Sequence, residues 1–540
     1  MKLRSTFVLL MILGITGLAA IPVSGAPVPA KILKVDAQAP KVLETLHDLS
    51  LRLYGQTDRF YLVEDSPEAK SLLSAQGLVF TEVSISPDIP LYLVYLPRQG
   101  VLEKVSSLAA VLFVDGRMAL VQMDETTALK VSQKGGELVL LPDEPHPVYL
   151  APVRSFPVPT VPDTFIQRLV NKVSPDSIRS KIQRLQDFRT RYSYTDSCRA
   201  AEQYVFNYLS ALGLDSVVFD PYPYGGYTWR NVIGTRVGRT NPQRVALACG
   251  HMDAISETPN SLAPGAEDNA SGTVIALEAA RAMAGEDFGS TVKFVVFTGE
   301  EQGLIGSDHY ARLLRDQNVD LLGALNFDMV SWFQDSFGVT IRTNTASMGL
   351  AQLENRMAAE YTTLAHFVTT QVGGSDHVSF HNQGYAATGT IEYGYPPIRY
   401  PYYHTIHDSL AYLSIPLAAE VAKMAIATLA TLADSQTTSV EAGPPTLAFP
   451  TALFPVYPNP FWVTVRVEYS LAAKGRVRLS VYNVSGQLVR ELVNQIQSPG
   501  KYSASWDGRN QKEYKVPSGV YFYRLQTETF SDTKKAVVVR

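Results

Sequence analysis

His251 and Asp253 follow an apolar, strand-like segment at a spacing that suits metal binding. Val245–Ala248 predicts a buried strand that breaks at Gly250, and side chains two residues apart on extended chain leave the same face. A histidine that binds a metal through one ring nitrogen needs an acceptor for the other, and Asp253 is placed to be that acceptor. Asp268 follows His251 by 17 residues, on a loop that enters a predicted helix. These residues are therefore candidates for one metal site.

Further candidate side chains follow other apolar segments or lie in a late loop. Glu300 and Glu301 come after the strand-like Thr291–Phe297, Asp328 ends another apolar segment, and His404 lies in a Tyr-rich loop. Because ligands of open α/β sheets bind at the carboxyl ends of the strands, we expect these residues to meet. Adjacent buried carboxylates also need a positive charge beside them. Two His, two Asp and one Glu, with a second Glu alongside, suit zinc, with other divalent metals as the alternative.

The motifs around these residues resemble, in order and spacing, the di-zinc aminopeptidases that include secreted bacterial leucyl aminopeptidases. The resemblance covers roughly residues 161–435 and rests on HMD, GAEDNASG, FTGEEQGLIGS, NFDM, SDHVSF and YHTIHDS. It implies one metal held by His251 and Asp328, another held by Glu301 and His404, and Asp268 bridging the two. It also implies that Glu300 is the general base that activates a metal-bridging water.

Two departures from this family bear on substrate contacts. Relatives often carry a Tyr or an Arg shortly before the Ser-Asp-His motif, whereas this chain has Val-Gly-Gly before Ser375. Some relatives use a Tyr directly before the last histidine, so we assign Tyr403 the oxyanion role, with aromatic packing as the alternative. Asp376 matches the family pattern and is expected to support the pocket. In relatives the bridging aspartate precedes a cis peptide bond, so we expect Asp268-Asn269 to be cis.

The order of elements predicts an α/β fold with two further domains. Between 161 and 435 strands and helices alternate, which predicts a mostly parallel mixed sheet covered by helices, of the zinc exopeptidase type. Residues 27–150 predict an α+β domain that is either a propeptide or a permanent accessory domain. The predicted organisation is a signal peptide at 1–26, the propeptide-like domain at 27–150, a Pro-rich linker at 151–160, the peptidase domain at 161–435, a linker at 436–452 and a β-sandwich at 453–540.

The N-terminal segment predicts export. Lys2 and Arg4 precede the apolar run Phe7–Ala20 and a small-residue cleavage site at residues 24–26, with an uncleaved anchor as the alternative. No later stretch predicts a transmembrane helix. Cys198 and Cys249 are the only cysteines, and in an exported chain they favour a disulfide over two buried thiols. We therefore expect a secreted or cell-surface protein.

The C-terminal segment predicts short strands separated by turns, as in a β-sandwich. YPNPF, VYNVSGQLVREL, WDGRN, VPSGVYFYRL and KKAVVVR resemble the immunoglobulin-like domain related to a flagellar hook-capping protein. They are also similar to C-terminal sorting domains of type IX secretion. The resemblance implies sorting or attachment, through contact with secretion machinery or the cell surface.

Composition and motifs together favour one function. A net charge of −4 and 18% charged residues, without basic blocks, exclude an electrostatic footprint for nucleic acid. We predict an exported metallo-aminopeptidase that removes N-terminal residues from peptides with two Zn²⁺ ions. A metallocarboxypeptidase or a glutaminyl cyclase on the same fold are alternatives, as is a non-catalytic binding protein on a peptidase scaffold.

Overall fold

The structure is a computed structural model of the chain. It describes residues 30–37, 41–96, 100–152, 154, 156, 163–333, 336–370, 373–393, 400–434, 451–453, 461, 465–498 and 500–539. The predicted signal peptide lies outside these residues, as do most of the two predicted linkers. The chain divides into two compact units, Met1–Val440 and Glu441–Arg540.

The first part of the larger unit, here called the N-terminal lobe, contains two antiparallel sheets. Their strand orders are β4-β1-β3-β2-β9 and β6-β7-β5-β8. The strands are β1 (Ala30–Asp36), β2 (Arg52–Gln56), β3 (Phe60–Glu64), β4 (Phe80–Ile85), β5 (Leu91–Tyr95), β6 (Ala110–Asp115), β7 (Met118–Gln122), β8 (Glu137–Leu140) and β9 (His146–Pro147). The helices are α1 (Val42–Asp48), α2 (Pro67–Ala75), α3 (Val101–Leu108) and α4 (Glu125–Gln133).

The N-terminal lobe shares a hydrophobic cluster with residues 163–434, here called the peptidase part after the domain that the sequence predicts. Phe60, Leu93 and Leu120 of the lobe are buried in one cluster with Leu304 and Val378. Apolar area removed from water stabilises by about 25 cal/mol per Å². The cluster therefore holds the lobe against the peptidase part.

The peptidase part is an eight-stranded mixed sheet, ordered β10-β11-β13-β12-β14-β17-β15-β16, with helices packed on it. Its strands are β10 (Ser216–Tyr224), β11 (Tyr227–Arg236), β12 (Asn241–His251), β13 (Ser290–Phe297), β14 (Asp320–Phe327), β15 (Gly338–Arg342), β16 (Ala365–Thr369) and β17 (Ala387–Glu392). Its helices are α5 (Thr164–Val170), α6 (Pro175–Gln186), α7 (Asp196–Ser210), α8 (Gly272–Met283), α9 (Ile305–Asp316), α10 (Met348–Tyr361), α11 (His377–Asn382) and α12 (Ile415–Asp434).

Four adjacent strands, β13, β12, β14 and β17, run parallel to one another. Their carboxyl ends therefore lie at one edge of the sheet, followed by the loops that carry the candidate ligands. The expected break at Gly250 is wrong, because β12 continues to His251. Glycine is required there because a Cβ at Gly250 would lie 2.9 Å from the carbonyl oxygen of Phe327 and from Gly272.

The long apolar helix α12 belongs to the core of this part. It packs against α5, α8 and α10, and almost all of its side chains are buried. Among the described residues it is the one helix long and apolar enough to cross a membrane, contrary to the expectation that no later stretch would be. Because its apolar side chains are buried between the sheet and other helices, we interpret it as a core helix of this part.

The expected disulfide between Cys198 and Cys249 is wrong, because both residues are buried free thiols. Helix α7, which carries Cys198, packs in a cluster with Ala246 and Ala248 of β12. Cys249 packs in a second cluster with Leu247. Since alternate residues of a strand face opposite sides of its sheet, Cys249 points away from α7.

The smaller unit is a sandwich of a three-stranded sheet, β18-β19-β22, and a four-stranded sheet, β21-β20-β23-β24. Its core includes Val467, Leu479, Trp506 and Tyr523. The strands are β18 (Ala452–Leu453), β19 (Val465–Leu471), β20 (Gly475–Asn483), β21 (Leu488–Gln497), β22 (Gly500–Trp506), β23 (Gly519–Gln526) and β24 (Ser531–Val538). The expectation of short strands in an all-β domain is confirmed.

Candidate metal centre

Side chains from the ends of β12 and β14 and from the loops that follow the parallel strands converge at one buried place. Nε2 of His251, the last residue of β12, lies 3.5 Å from Oδ1 of Asp268 and 3.6 Å from Oδ1 of Asp328. Nε2 of His404 lies 3.0 Å from Oδ2 of Asp268 and 3.1 Å from Oε2 of Glu301. The two oxygens of Asp268 thus face two different histidines, which is the arrangement that a carboxylate shared by two cations requires.

The loop that carries Asp268 is fixed from two sides. Asp408 accepts hydrogen bonds from the backbone N–H groups of Glu267 at 2.8 Å and of Asp268 at 3.0 Å. The buried guanidinium of Arg191 donates to the carbonyl oxygens of Met252, Pro264 and Gly265. Met252 directly follows His251, and the other two residues precede the segment that carries Asp268. The Asp268-Asn269 peptide bond is cis, as expected.

Asp253 has a different contact from the one that its spacing predicted. Nδ1 of His251 lies 3.2 Å from the backbone oxygen of Asp253 and 3.7 Å from its carboxylate, so the hydrogen-bonding partner is the carbonyl. The Asp253 carboxylate instead accepts from the backbone N–H groups of Glu300 at 3.3 Å and Glu301 at 3.2 Å. It therefore positions the turn that presents both glutamates.

His404 receives its partner from the N-terminal lobe. Nδ1 of His404 donates to the backbone oxygen of Ser132, at the end of α4, over 2.8 Å. This contact fixes the ring so that Nε2 faces Asp268 and Glu301. The sequence did not indicate it, because Ser132 lies in an unremarkable polar stretch.

The remaining carboxylates are oriented by neighbours of the Ser-Asp-His motif. Oγ of Ser375 donates to Oδ2 of Asp328 over 2.6 Å, which leaves Oδ1 facing His251. Oε2 of Glu300 lies 3.8 Å from Nε2 of His251, so this carboxylate borders the same point. Asp376 is buried at the start of α11, and the cavity at the site is lined instead by its neighbours Gly374 and Ser375.

The residues present fit a cation. Nε2 of His251, Oδ1 of Asp328 and Oε1 of Glu301 are buried polar atoms without a hydrogen-bond partner among the described residues. Burial together with repulsion from neighbouring carboxylates raises the pKa of Glu301 to about 7 and that of Glu300 well above its ordinary value. Carboxylates crowded in this way are stabilised by a divalent ion, and imidazole with carboxylate is a donor set suited to zinc.

Tyr403 lies beside the cluster. Its ring stacks on that of His404 with centroids 3.6 Å apart, and it lines the cavity together with Asp268 and Glu300. Burial, followed by the charges of nearby carboxylates, raises the pKa of Tyr403 well above its ordinary value. The hydroxyl therefore keeps its proton and can donate a hydrogen bond.

The cavity at this centre is small and has mixed walls. It holds about 20 Å³ and is lined by Asp268, Glu300, Glu301 and Asp328 from the peptidase part. The N-terminal lobe supplies Ser132, Glu137 and Leu138 to the same walls. A volume of this size accommodates about one water molecule.

Arg342 is a cation at this site that sequence reasoning missed. It is the last residue of β15 and lines the cavity. Burial raises the pKa of Asp328, but the nearby His251, the hydrogen bond from Ser375 and the charge of Arg342 lower it, and the net pKa lies below its ordinary value. A single arginine in an apolar segment carries no motif, and only the strand order of the sheet places it beside β17.

The fold and the centre define a zinc exopeptidase-type hydrolase domain, and comparisons with known proteins identify its family. The model of peptidase family M28 matches residues 231–429, and the model of the FlgD Ig-like domain matches residues 463–530. The chain therefore carries a zinc metallopeptidase domain of family M28, of the aminopeptidase type, together with a FlgD Ig-like domain.

Individual relatives agree with this assignment. A probable zinc metalloprotease of Pyrenophora tritici-repentis is 27% identical over 52% of this chain and 70% of its own length. Leucine aminopeptidase 1 of Trichoderma harzianum is 28% identical over 50% of this chain and 72% of its own length. The crystal structure of the Legionella pneumophila LapA aminopeptidase shares the fold, with a TM-score of 0.52, 18% identity and coverage of 65% of this chain and all of its own.

Proposed function

We propose that this protein is an exported aminopeptidase that uses two zinc ions to remove N-terminal residues from peptides. The observation that carries the proposal is the position of Asp268, whose Oδ1 faces His251 and whose Oδ2 faces His404. His251 with Asp328 would hold one ion, and His404 with Glu301 the other. When bound, two zinc ions lower the pKa of a shared water and polarise the scissile carbonyl.

Glu300 is the general base in this proposal. Its carboxylate borders the centre, with Oε2 3.8 Å from Nε2 of His251. Glu300 takes the proton of the attacking water and passes it to the leaving amine. Tyr403 donates its hydroxyl proton in a hydrogen bond to the oxygen that becomes negative, as its position beside His404 allows.

The N-terminal lobe has to move or be removed before a peptide can enter. A cavity of about 20 Å³ has no room for a residue of substrate, and part of its wall is Ser132, Glu137 and Leu138 of the lobe. The lobe thus acts as a propeptide that covers the centre. In this proposal the segment 1–26 directs export, and the C-terminal sandwich directs the exported enzyme to its location.

The experiment measures substrates and metal on one preparation. The purified full chain is nicked by limited proteolysis between the lobe and the peptidase part, and assayed with leucyl-p-nitroanilide and its N-acetylated form. We expect the free amine to be hydrolysed and the blocked form to be resistant, with two zinc ions per chain by mass spectrometry. Turnover of the blocked form would favour an endopeptidase or carboxypeptidase, and a single zinc ion would contradict the two-ion centre.

A further inference from the structure

A carboxylate of the N-terminal lobe occupies a built site beside the metal centre. Oε2 of Glu137 accepts from Nη2 of Arg342 at 3.2 Å and from the backbone N–H of Gly374 at 2.7 Å. One carboxylate oxygen is therefore held by a guanidinium and an amide together. The side chains of Glu137 and Arg342 are 9% and 4% exposed, so both charges have been removed from water.

The chain is shaped to receive the guanidinium at this place. Gly373 has a φ of +71°, and a Cβ at this position would overlap Nη2 of Arg342. The glycines before Ser375 thus leave the space that the guanidinium fills. A side chain at Gly373 would displace the guanidinium of Arg342 from the Glu137 carboxylate.

This arrangement borders the centre where the peptide is cleaved. Arg342, Gly374 and Glu137 line the same cavity as Asp328 and Glu300. An ion pair that only joined two lobes would gain little from burial, because desolvation offsets most of the Coulomb energy. A buried cation opening onto a metal centre suits recognition of an anionic group of the substrate.

We propose that Arg342 and the Gly374 amide form a carboxylate-binding subsite, which Glu137 fills while the N-terminal lobe covers the centre. The inference rests on the proposed peptidase function and names its substrates: peptides with a carboxylate close to the scissile bond. That carboxylate is either the side chain of an acidic residue or the C-terminal carboxylate of a short peptide. Glu137 is then a stand-in for the substrate's own carboxylate.

The first experiment tests the subsite without turnover. Glu137→Ala in the full chain removes the carboxylate that Arg342 and the Gly374 amide hold, and leaves a space of about the size of acetate. We expect sodium acetate to raise the melting temperature of this variant by several degrees, since a charged hydrogen-bonded pair is restored. Acetamide, which lacks the charge, should not raise it. Equal effects of acetate and acetamide would overturn the subsite.

Glu125→Ala is the matched control. Glu125 also belongs to the N-terminal lobe and also contacts the peptidase part, where it accepts from the hydroxyl of Tyr194. It does not take part in the contacts with Arg342 and Gly374. Acetate should therefore leave the melting temperature of Glu125→Ala and of the wild type unchanged. A rise common to all three proteins would mean that acetate binds elsewhere and would overturn the proposal.

The second experiment identifies the source of the carboxylate. The nicked wild type is compared on glutamyl- and glutaminyl-p-nitroanilide, and on leucyl-glycine and leucyl-glycinamide. We expect kcat/KM to favour the carboxylate of one pair by about ten- to hundredfold, the value of a hydrogen bond to a charged group. Arg342→Gln should abolish that preference. A preference that persists in Arg342→Gln, or is absent from both pairs in the wild type, would overturn the proposal.

The two proposals fail in different ways. If no form of the protein hydrolysed leucyl-p-nitroanilide, the proposed function would fail, while the acetate response of Glu137→Ala would still report on the subsite. If leucyl-p-nitroanilide were hydrolysed but acetate and acetamide acted alike, only the subsite would fail.

Discussion

Glu300 and Glu301 are adjacent in sequence, yet the structure gives their carboxylates different surroundings. Oε2 of Glu301 lies 3.1 Å from Nε2 of His404, within the ligand set, whereas Oε2 of Glu300 lies 3.8 Å from Nε2 of His251, at its border. Asp253 holds the backbone N–H groups of both residues. In the mechanism proposed above, this turn lets Glu301 bind metal while Glu300 remains available for proton transfer.

Glu300→Gln should separate these two tasks. The amide retains the shape of the side chain but cannot take a proton, so we expect kcat to fall by roughly 10²–10⁴-fold while zinc content is unchanged. Glu301→Gln is the comparison and should lower zinc affinity. Kinetics and metal analysis on both variants check this, and near-normal turnover in Glu300→Gln would show that another group is the base.

Ser375→Ala tests how the Asp328 carboxylate is oriented. Without the 2.6 Å hydrogen bond from Ser375, Asp328 can rotate away from His251. Loss of such a supporting contact typically lowers metal affinity or activity about 10–100-fold. Competition with a zinc chelator measures the affinity. Ser379→Ala is the control, because Ser379 bonds to Ser307 instead, and an equal loss in both variants would contradict the role of Ser375.

At the residue scale, the sequence predicted the site residues that lie in motifs and missed the single residues that lie outside them. His251 and Asp328 stand in short motifs at strand ends and Asp268 in a motif directly before α8, where a carboxylate or imidazole has few structural uses. Arg342 and Arg191 are single basic residues without such a context, and only the folded chain shows what they contact. Asp253 was correctly predicted to lie beside His251. Whether its carbonyl or its carboxylate accepts the hydrogen bond from Nδ1 of His251 depends on the backbone path after β12.

At the scale of elements, the site depends on strands that begin and end in register. β12 pairs with β13 up to His251 and Phe297, so the turns after both strands start at the same level. The predicted helices and strands of this part are present because their apolar residues recur with clear periods. β15 and β16 are five-residue strands near the sheet edge, so they carry weaker sequence patterns and are assigned by their pairing.

Helix α11 provides a test of stability against pH. His381 is fully buried and its Nε2 donates to the carbonyl of Ala387 at 3.0 Å, and burial lowers its pKa to about 4. The folded pKa of His381 lies below the unfolded value, so the neutral ring contributes stability to the folded state. This contribution is fully present above about pH 6.5 and is lost as pH falls from about 6.5 to 4. The loss amounts to about 3 kcal/mol.

Urea unfolding at pH 7, 5.5 and 4.5 measures this loss. His381→Gln keeps a hydrogen-bond donor but does not titrate, so its unfolding free energy should fall less steeply than that of the wild type. The difference between the two curves isolates His381 from the metal ligands and other histidines. Parallel curves would mean that His381 is as easily protonated when folded as when unfolded.

At the scale of the whole molecule, one compact unit contains both the metal centre and the lobe that covers it. The backbone oxygen of Ser132 holds His404, and Glu137 occupies Arg342. The sequence predicted the lobe's α+β elements, but its contact with the centre depends on packing between distant segments such as Leu93 and Val378.

Separation of the lobe should activate the enzyme. A protease site introduced into residues 157–162 permits cleavage of the intact chain, and we expect activity on leucyl-p-nitroanilide to rise at least tenfold once the lobe dissociates, because the cavity then opens. Gel filtration before and after cleavage checks dissociation. An intact chain as active as the cleaved one would show that the lobe leaves room for substrate.

Removal of the C-terminal sandwich should leave catalysis unchanged. The chain divides at residue 440, the sandwich has its own core around Trp506, and α12 completes the peptidase core by Asp434. A chain ending at Asp434, compared with the full chain after the same cleavage of the lobe, should retain kcat and KM within about twofold, because the ligands, Glu300 and Tyr403 all lie in the retained unit. In the native host the same truncation should change where the enzyme accumulates, as a sorting or attachment domain requires. Circular dichroism confirms that the shortened chain is folded, and a folded but inactive product would mean that the sandwich contributes to catalysis.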